Sequence, residues 1–274
     1  MALRAMEYSL HSELADHVLC VFNVADVPFI QKTSRVEHSG PTAPELSRMA
    51  AASPSGGVTL PGYVTPALLN KVYHIDSNIG STEVSQGVYE TNNEWFSPAD
   101  LAAFQSFMGL PNQPVATNIG GHSSDAVCRL HPDLCDEGNF DLQYLMGVSQ
   151  VTPTTYYYIN EVHFMLDWLT AMASSPSPPK VLSVSWGGND HHFPVSQMTA
   201  VNHEAITLSA MGVTLIAGSG DDGANSYTRP VKCGYMTKFP ASSPYFTAVG
   251  ATNVIRNSFF ISFITSINSS SHAM

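Results

Sequence analysis

Strands and helices are predicted to alternate along the second half of the chain, from the spacing of its apolar residues. The pattern indicates helices over residues 160–172 and 197–211, and strands at Val181–Ser185, Val213–Ala217 and Phe246–Gly250. These strands are apolar with little polar alternation, which is typical of a sheet buried on both faces. We therefore expect neighbouring strands of a parallel sheet, with the two helices packed on it.

Earlier in the chain, a helix is predicted to begin after Ser97, because a capping serine there precedes Pro98. Gly109 ends this helix, and a strand follows over residues 115–119. The strand at residues 181–185 is expected to end at Trp186–Gly188. The inward face of the capped helix is predicted to consist of apolar residues at helical spacing, namely Leu101, Phe104 and Met108.

Composition narrows the class of protein. The 274 residues are 44% apolar and can bury a large core, whereas only 12% are charged. A formal net charge of −11 argues against nucleic acid and against an anionic membrane surface as partners. No run of about 18 apolar residues indicates a membrane span, and the first residues do not read as a signal peptide.

The four cysteines, Cys20, Cys128, Cys135 and Cys233, lack the CxxC pairs of a zinc or redox site. Cys128 and Cys135 lie seven positions apart in one loop-like stretch. They could close a small disulfide ring or remain half-buried thiols, and the sequence leaves both open.

Two carboxylates, Glu137 and Asp141, stand four residues apart at the start of an apolar-periodic segment. Positions i and i+4 share one helical face, so both side chains can point to the same place. Two neighbouring carboxyl groups lose their protons at different pH values. At acid pH, one carboxylate can therefore accept a proton while the other orients the accepting group. The alternative is structural, because acidic residues are favoured in the first turn of any helix.

A second acidic stretch, Gly218–Gly223, directly follows a buried strand and matches GxGxxG. Asp221 and Asp222 would repel a pyrophosphate, and Pro230 interrupts any following helix, so nucleotide binding is disfavoured. A carboxyl group kept protonated at acid pH could instead donate a hydrogen bond to a developing oxyanion. The structural alternative is an acidic turn with Asx-type hydrogen bonds.

Four motifs taken in order resemble the sedolisins, the serine-carboxyl peptidases. They are Glu137-xxx-Asp141 with the following Leu-Gln-Tyr-Leu-Met, Val184–Gly187, Gly212 to Asp221, and Phe239–Gly250. The resemblance covers roughly residues 60–252. It implies a subtilisin-like α/β fold, a parallel sheet covered by helices on both faces, incomplete at the C-terminus. It also implies that the N-terminal residues are the remnant of an α+β prodomain.

By this resemblance, Glu137 would be the general base, Asp141 its partner carboxylate and Asp221 the oxyanion residue. The strand edge that pairs with the substrate backbone would comprise Ser183, Ser185, Trp186 and Gly187. Glu137 and Asp141 would then point toward the end of the strand that delivers Asp221. The implied partner is a peptide or protein substrate of a monomeric enzyme, in a lysosomal, vacuolar or extracellular setting.

The resemblance also implies a domain order: prodomain tail and linker over residues 1–58, a partial peptidase domain over 59–252, and a tail unlike the family over 253–274. The family's nucleophile lies in a Ser-Gly-Thr-Ser type motif far downstream, and its calcium site lies later still. Neither occurs in these residues, so no metal or other cofactor is expected in this chain. Two hypotheses follow: a fragment of a serine-carboxyl peptidase, or a non-catalytic remnant that keeps only peptide binding.

Overall fold

The computed structural model describes residues 31–32, 64–75, 80–160, 163–221 and 236–250. They belong to two compact units, one formed by residues 35–158 and the other by residues 1–34 and 159–274. The predicted domain boundaries after residues 58 and 252, the tail from residue 253, and Cys20, Asp222 and Cys233 lie outside the described residues.

The described strands and helices are numbered in chain order. The strands are β1 (Gln31–Lys32), β2 (Gln86–Glu90), β3 (Thr117–Ile119), β4 (Thr154–Tyr158), β5 (Val181–Val184), β6 (Trp186–Asn189), β7 (Thr214–Gly218), β8 (Lys238–Phe239) and β9 (Thr247–Val249). The α-helices are α1 (Pro66–Val72), α2 (Pro98–Phe107), α3 (Asp125–Leu130), α4 (Asp136–Val148), α5 (Leu166–Ala173) and α6 (Val195–Ala210).

In the unit of residues 35–158, β4 lies between β2 and β3 and is parallel to both. Val88 of β2 and Asn118 of β3 both stand opposite Tyr156 of β4. The core beside these strands is apolar and aromatic, and each fully buried large apolar side chain in it contributes roughly 1.5–3 kcal/mol. It consists of Val88, Phe96, Leu101, Leu142, Met146, Tyr156 and Tyr158.

The predicted start of α2 is confirmed, because the Asp100 amide donates to Ser97 Oγ at 3.0 Å. Its predicted inward face is partly wrong. Leu101 is buried together with Gln105 and Phe107, whereas Phe104 and Met108 are only half-buried. Phe104 instead lies against Tyr144 of α4, with ring centroids 5.4 Å apart. The strand predicted at residues 115–119 is also shorter and begins at Thr117.

In the unit of residues 1–34 and 159–274, the predicted parallel neighbours are confirmed. Ser183 of β5 stands opposite Ile216 of β7, and Ala217 of β7 stands opposite Ala248 of β9. Helix α6 packs on α5 and on β7, and it buries Val201, Ala205 and Leu208. Parallel strands flanked by helices confirm the α/β class.

Helix α5 begins at Leu166, six residues later than predicted from the apolar spacing. Phe164 and Met165 have positive φ angles of 33° and 50°, so the chain is left-handed there and cannot yet be α-helical. Both side chains are fully buried. Their apolar character therefore reflects burial in the core and not a place on a helix face. Residues 161–162 lie outside the described residues.

The residues expected to end β5 form a strand of their own. After Ser185 the chain leaves the parallel sheet, and β6 pairs antiparallel with β8, with Gly188 opposite Phe239. β6 also pairs antiparallel with β1, with Gln31 opposite Gly187 and Lys32 opposite Trp186. This second sheet, in the order β1-β6-β8, corrects the prediction that Trp186–Gly188 is a strand end.

Candidate functional site

Helix α4 carries Glu137 and Asp141, the residues predicted to be the general base and its partner carboxylate. Glu137 lies in its first turn with a fully buried side chain, and Asp141 lies one turn later and is half-buried. Their i, i+4 spacing places both on one helical face. The prediction that they share one helix is therefore confirmed. Carboxyl groups are rarely fully buried, and a buried one needs hydrogen-bond or charge partners nearby.

A disulfide fixes the residue before this helix. Cys128 of α3 is bonded to Cys135, with Cα atoms 5.5 Å apart, and both residues are buried. Cys135 is the N-cap residue of α4, so the bond ties the beginning of α4 to α3. Of the two alternatives that the sequence left open, the structure shows the disulfide.

Two further carboxylates lie close to these residues, and both were missed in the sequence. Glu90 ends β2 and is fully buried, and Glu94 in the following loop is 3% exposed. Burial raises the pKa of the Tyr156 phenol well above its usual range, and the negative charges of Glu90, Glu94 and Asp141 raise it further. Tyr156 therefore stays protonated, in the middle of three acidic groups.

The sequence held a weak signal for Glu90, since it directly follows the buried pair Val88 and Tyr89 at a strand end. Two apolar residues are too few to identify a strand by periodicity. Glu94 gave no signal, because its role depends on a contact with a helix that begins 42 positions later in the chain, at Asp136.

The aromatic rings above the carboxyl ends of β2, β3 and β4 form a compact group. The His122 ring is stacked on that of Tyr158, with centroids 3.2 Å apart, and its centroid also lies 4.3 Å from that of Trp95. Tyr158 also accepts a hydrogen bond from the Asn93 amide at 3.1 Å. These contacts fix the loops that follow β2 and β3, next to the buried carboxyl groups.

The predicted substrate-binding residues lie at the end of β5 and the beginning of β6. Ser183 and Ser185 are half-buried, whereas Trp186 and Gly187 are buried. Trp186 and Gly187 belong to the part of β6 that pairs with β1, so an extended segment of this chain already lies along this edge. The structure thus shows antiparallel pairing at Trp186 and Gly187 only, whereas Ser183 lies in β5 opposite Ile216 of β7.

Asp221 follows the end of β7 and has an exposed side chain. The Ser219 amide donates to the Val249 carbonyl at 2.9 Å, and Gly220 has a φ of 90°, which glycine adopts readily. The side-chain stem of Lys238, a buried residue of β8, lies 3.2–3.5 Å from the position that a Gly220 Cβ would take. Within this unit, Ser185 and Asp221 thus follow the carboxyl ends of neighbouring parallel strands, where ligands of α/β sheets bind.

The predicted convergence of Glu137 with Asp221 stays a prediction, as do the roles of all seven residues. Across the described ranges, no three His, Cys, Asp or Glu side chains are grouped so as to hold a metal ion. The same ranges contain no helix with the length and hydropathy needed to cross a membrane.

Comparison with known proteins identifies relatives among peptidases. Tripeptidyl-peptidase 1 of Macaca fascicularis is 28% identical over 225 residues, which cover 79% of this chain and 39% of that protein. The Homo sapiens protein of the same name has the same identity and coverage, and the Bos taurus protein matches 263 residues at 28% identity, covering 92% of this chain and 43% of that protein. The chain thus spans about two fifths of the length of these curated relatives. No family model matches it.

Among solved structures, the fold is similar to that of Pseudomonas sedolisin, a serine-carboxyl proteinase. The TM-score is 0.54 at 21% identity, and the match covers 70% of this chain and 54% of that one. The architecture is therefore the subtilisin-like α/β fold. Together with the matches to tripeptidyl-peptidase 1, this similarity supports the resemblance of the chain to sedolisin-family peptidases.

Proposed function

We propose that the protein is a serine-carboxyl peptidase that hydrolyses peptide or protein substrates at acidic pH, in a lysosomal, vacuolar or extracellular setting. The observation that carries the proposal is the buried Glu137, one helical turn from Asp141, in a chain similar to the sedolisins. In this proposal Glu137 takes the proton of the nucleophilic serine and Asp141 orients it. Carboxyl groups suit such work at a pH where histidine would be charged.

Asp221 is proposed to donate a hydrogen bond to the oxyanion of the tetrahedral intermediate. Its position after the end of β7 supports this role, because the carboxyl ends of parallel strands face the ligand in α/β sheets. Substrate is proposed to add as an extended strand along Ser183, Ser185, Trp186 and Gly187. The antiparallel pairing of β1 with β6 supports this mode of binding. Release of tripeptides is proposed from the names of the relatives.

The nucleophile is assigned to no serine among these 274 residues. Ser185 directly follows β5 and Ser219 directly follows β7, but the first has the proposed role of pairing with substrate and the second stands two residues from Asp221. Glu137 can accept a proton, yet covalent catalysis needs a group for it to activate. A polypeptide of residues 1–274 is therefore expected to show no turnover.

Two experiments test the proposal. The first is sequencing of the transcript, in which an in-frame Ser-Gly-Thr-Ser type motif within the next couple of hundred codons supports a peptidase. The product of that reading frame should cleave a peptide with an Ala-Ala-Phe leader at acid pH. Its Glu137→Gln variant should lose roughly 10²–10⁴-fold in kcat. Asp133→Asn is the matched control, because it removes an exposed carboxylate four residues before Glu137.

The second experiment assays the 274-residue polypeptide itself. Turnover that disappears on Glu137→Ala would overturn the assignment of the nucleophile to a segment outside these residues. The alternative function, a pseudo-peptidase that only binds peptides, is favoured by the pairing of β1 with β6. Peptide binding without hydrolysis, in a reading frame that lacks the serine motif, would establish that alternative.

A further inference from the structure

The loop of residues 94–97 is hydrogen-bonded to the beginning of α4. The Trp95 amide donates to the Leu134 carbonyl at 2.7 Å, just before the helix. The Ser97 amide donates to Asn139 Oδ1 at 2.8 Å, within the first turn. The position of this turn is therefore tied to a loop more than 35 residues earlier in the chain, by direct contacts.

Helix α4 begins without a cap of its own. Its N-cap residue, Cys135, makes no side-chain capping hydrogen bond. The first amides of a helix have no intrahelical partner and need an acceptor from elsewhere. Glu94 Oε2 accepts from the Gly138 amide at 3.4 Å, and both groups are buried. A carboxylate at this end of a helix is also favoured by the helix dipole.

The contact is narrow enough to exclude any side chain at position 138. A Cβ there would lie 2.4 Å from the Trp95 carbonyl oxygen and 2.7 Å from the Tyr156 hydroxyl. The Tyr156 hydroxyl itself donates to the Glu94 carbonyl at 3.0 Å. Because the pKa of Tyr156 is raised by burial and by the nearby carboxylates, the phenol keeps the proton that this hydrogen bond requires. Glu94, Tyr156 and the residue after Glu137 therefore form one close contact.

We propose that Glu94, held by the Tyr156 hydroxyl, is a positioning residue for Glu137. Glu94 supplies from the β2 side the cap that α4 lacks, and so fixes the turn in which the Glu137 side chain is buried. The inference rests on the proposed role of Glu137 as the base. It adds two residues that act through Glu137 rather than on the substrate.

The test uses the 274-residue polypeptide and three variants. Glu94→Ala removes the acceptor, whereas Glu94→Gln keeps an oxygen that can accept from Gly138 but removes the charge. Gln105→Ala is the matched control, because Gln105 is also 3% exposed and holds the backbone of Gln113 through two hydrogen bonds. Amide hydrogen exchange measured over residues 137–139 reports the first turn, and glycine-labelled NMR spectra report the Gly138 amide.

Glu94→Ala is expected to raise exchange over residues 137–139 by about tenfold or more relative to Gln105→Ala, since a lost cap frays a helix locally. Glu94→Gln should restore most of the protection. The pH dependence of the Gly138 resonance should differ between the wild type and Glu94→Gln, because the variant lacks the ionisable group that accepts from this amide. A purely structural role would not predict this change.

Three results would overturn the proposal. Exchange over residues 137–139 could be unchanged in Glu94→Ala, or Gln105→Ala could raise it equally, which would show global loosening. The Gly138 resonance could also titrate identically in Glu94→Gln. That result would mean that another acidic group nearby is sensed, from the set Glu90, Asp136, Glu137 and Asp141. None of these measurements requires hydrolysis. They can therefore refute the role of Glu94 without refuting the proposed peptidase function, and an inactive protein can still show the predicted exchange and NMR changes.

Discussion

Gly138→Ala is expected to destabilise the protein, although alanine is the better helix former. Gly138 is in the first turn of α4. In a helix interior, glycine is less stable than alanine by roughly 0.5–1 kcal/mol, and we take this as the gain expected from alanine's helix propensity. The added Cβ would lie 2.4 Å from the backbone oxygen of Trp95. Rotation of that oxygen is opposed, because the Phe96 amide of the same peptide unit donates to the His122 carbonyl at 3.3 Å.

The size of the effect follows from these opposing terms. Overpacking of this kind costs typically about 1–3 kcal/mol, because backbone or buried groups must shift. With the propensity gain subtracted, the net loss is about 0–2.5 kcal/mol, with a central value near 1 kcal/mol. For a protein of this length, 1 kcal/mol corresponds to roughly 2–4 °C in Tm, so the expected decrease is centred at roughly 2–4 °C.

Gly147→Ala is the matched control, because it makes the same substitution in the same helix. A Cβ at position 147 would meet only side-chain atoms of Phe104, Pro66 and Leu110, at 3.3–3.4 Å. Such atoms can move by a few tenths of an ångström, so the expected change lies within about 1 kcal/mol of zero. Urea unfolding of both variants is the assay. Equal stabilities, or a more stable Gly138→Ala, would refute the close contact between α4 and the 94–97 loop.

Two further predictions concern pH and the edge of β6. Hydrogen bonds from the Ala99 amide and the Ser97 hydroxyl lower the pKa of Asp125 below its ordinary value of 3.8. The stability that Asp125 contributes is therefore present above pH 3.8 and is lost as the pH falls through the lower pKa of the folded state. The difference in urea midpoint between wild type and Asp125→Asn should shrink between pH 6 and pH 3, and a constant difference would count against it. Replacing Gln31 and Lys32 together by proline removes two backbone donors from β1 and should weaken its pairing with β6. A labelled peptide should then bind β6 more tightly, as measured by fluorescence anisotropy. Unchanged affinity would mean that β6 is not where the peptide binds.

Local signals in the sequence predicted several elements of the fold, but not the strands β2 and β4. The serine and proline at Ser97–Pro98 marked the start of α2, and apolar spacing identified α6 and the strands β5, β7 and β9. The errors arose where tertiary packing decides local structure. Phe164 and Met165 have the apolar character of a helix face, but they are left-handed residues buried in the core. Trp186–Gly188 was predicted to be a strand end, because the partners of β6, the strands β1 and β8, are distant in sequence.

Residues of the candidate site were likewise predictable only where their signal is local in the sequence. Glu137 and Asp141 could be identified because their chemistry and their spacing are both local to one helix. Glu94 could not, because it is recognisable only once the loop after β2 is seen against the first turn of α4. A base must be held in place by groups that are themselves fixed, and those groups come from other elements. Substitutions over residues 94–97 are therefore expected to affect Glu137 more than their distance along the chain suggests, whereas exposed positions such as Asp133 should affect it little.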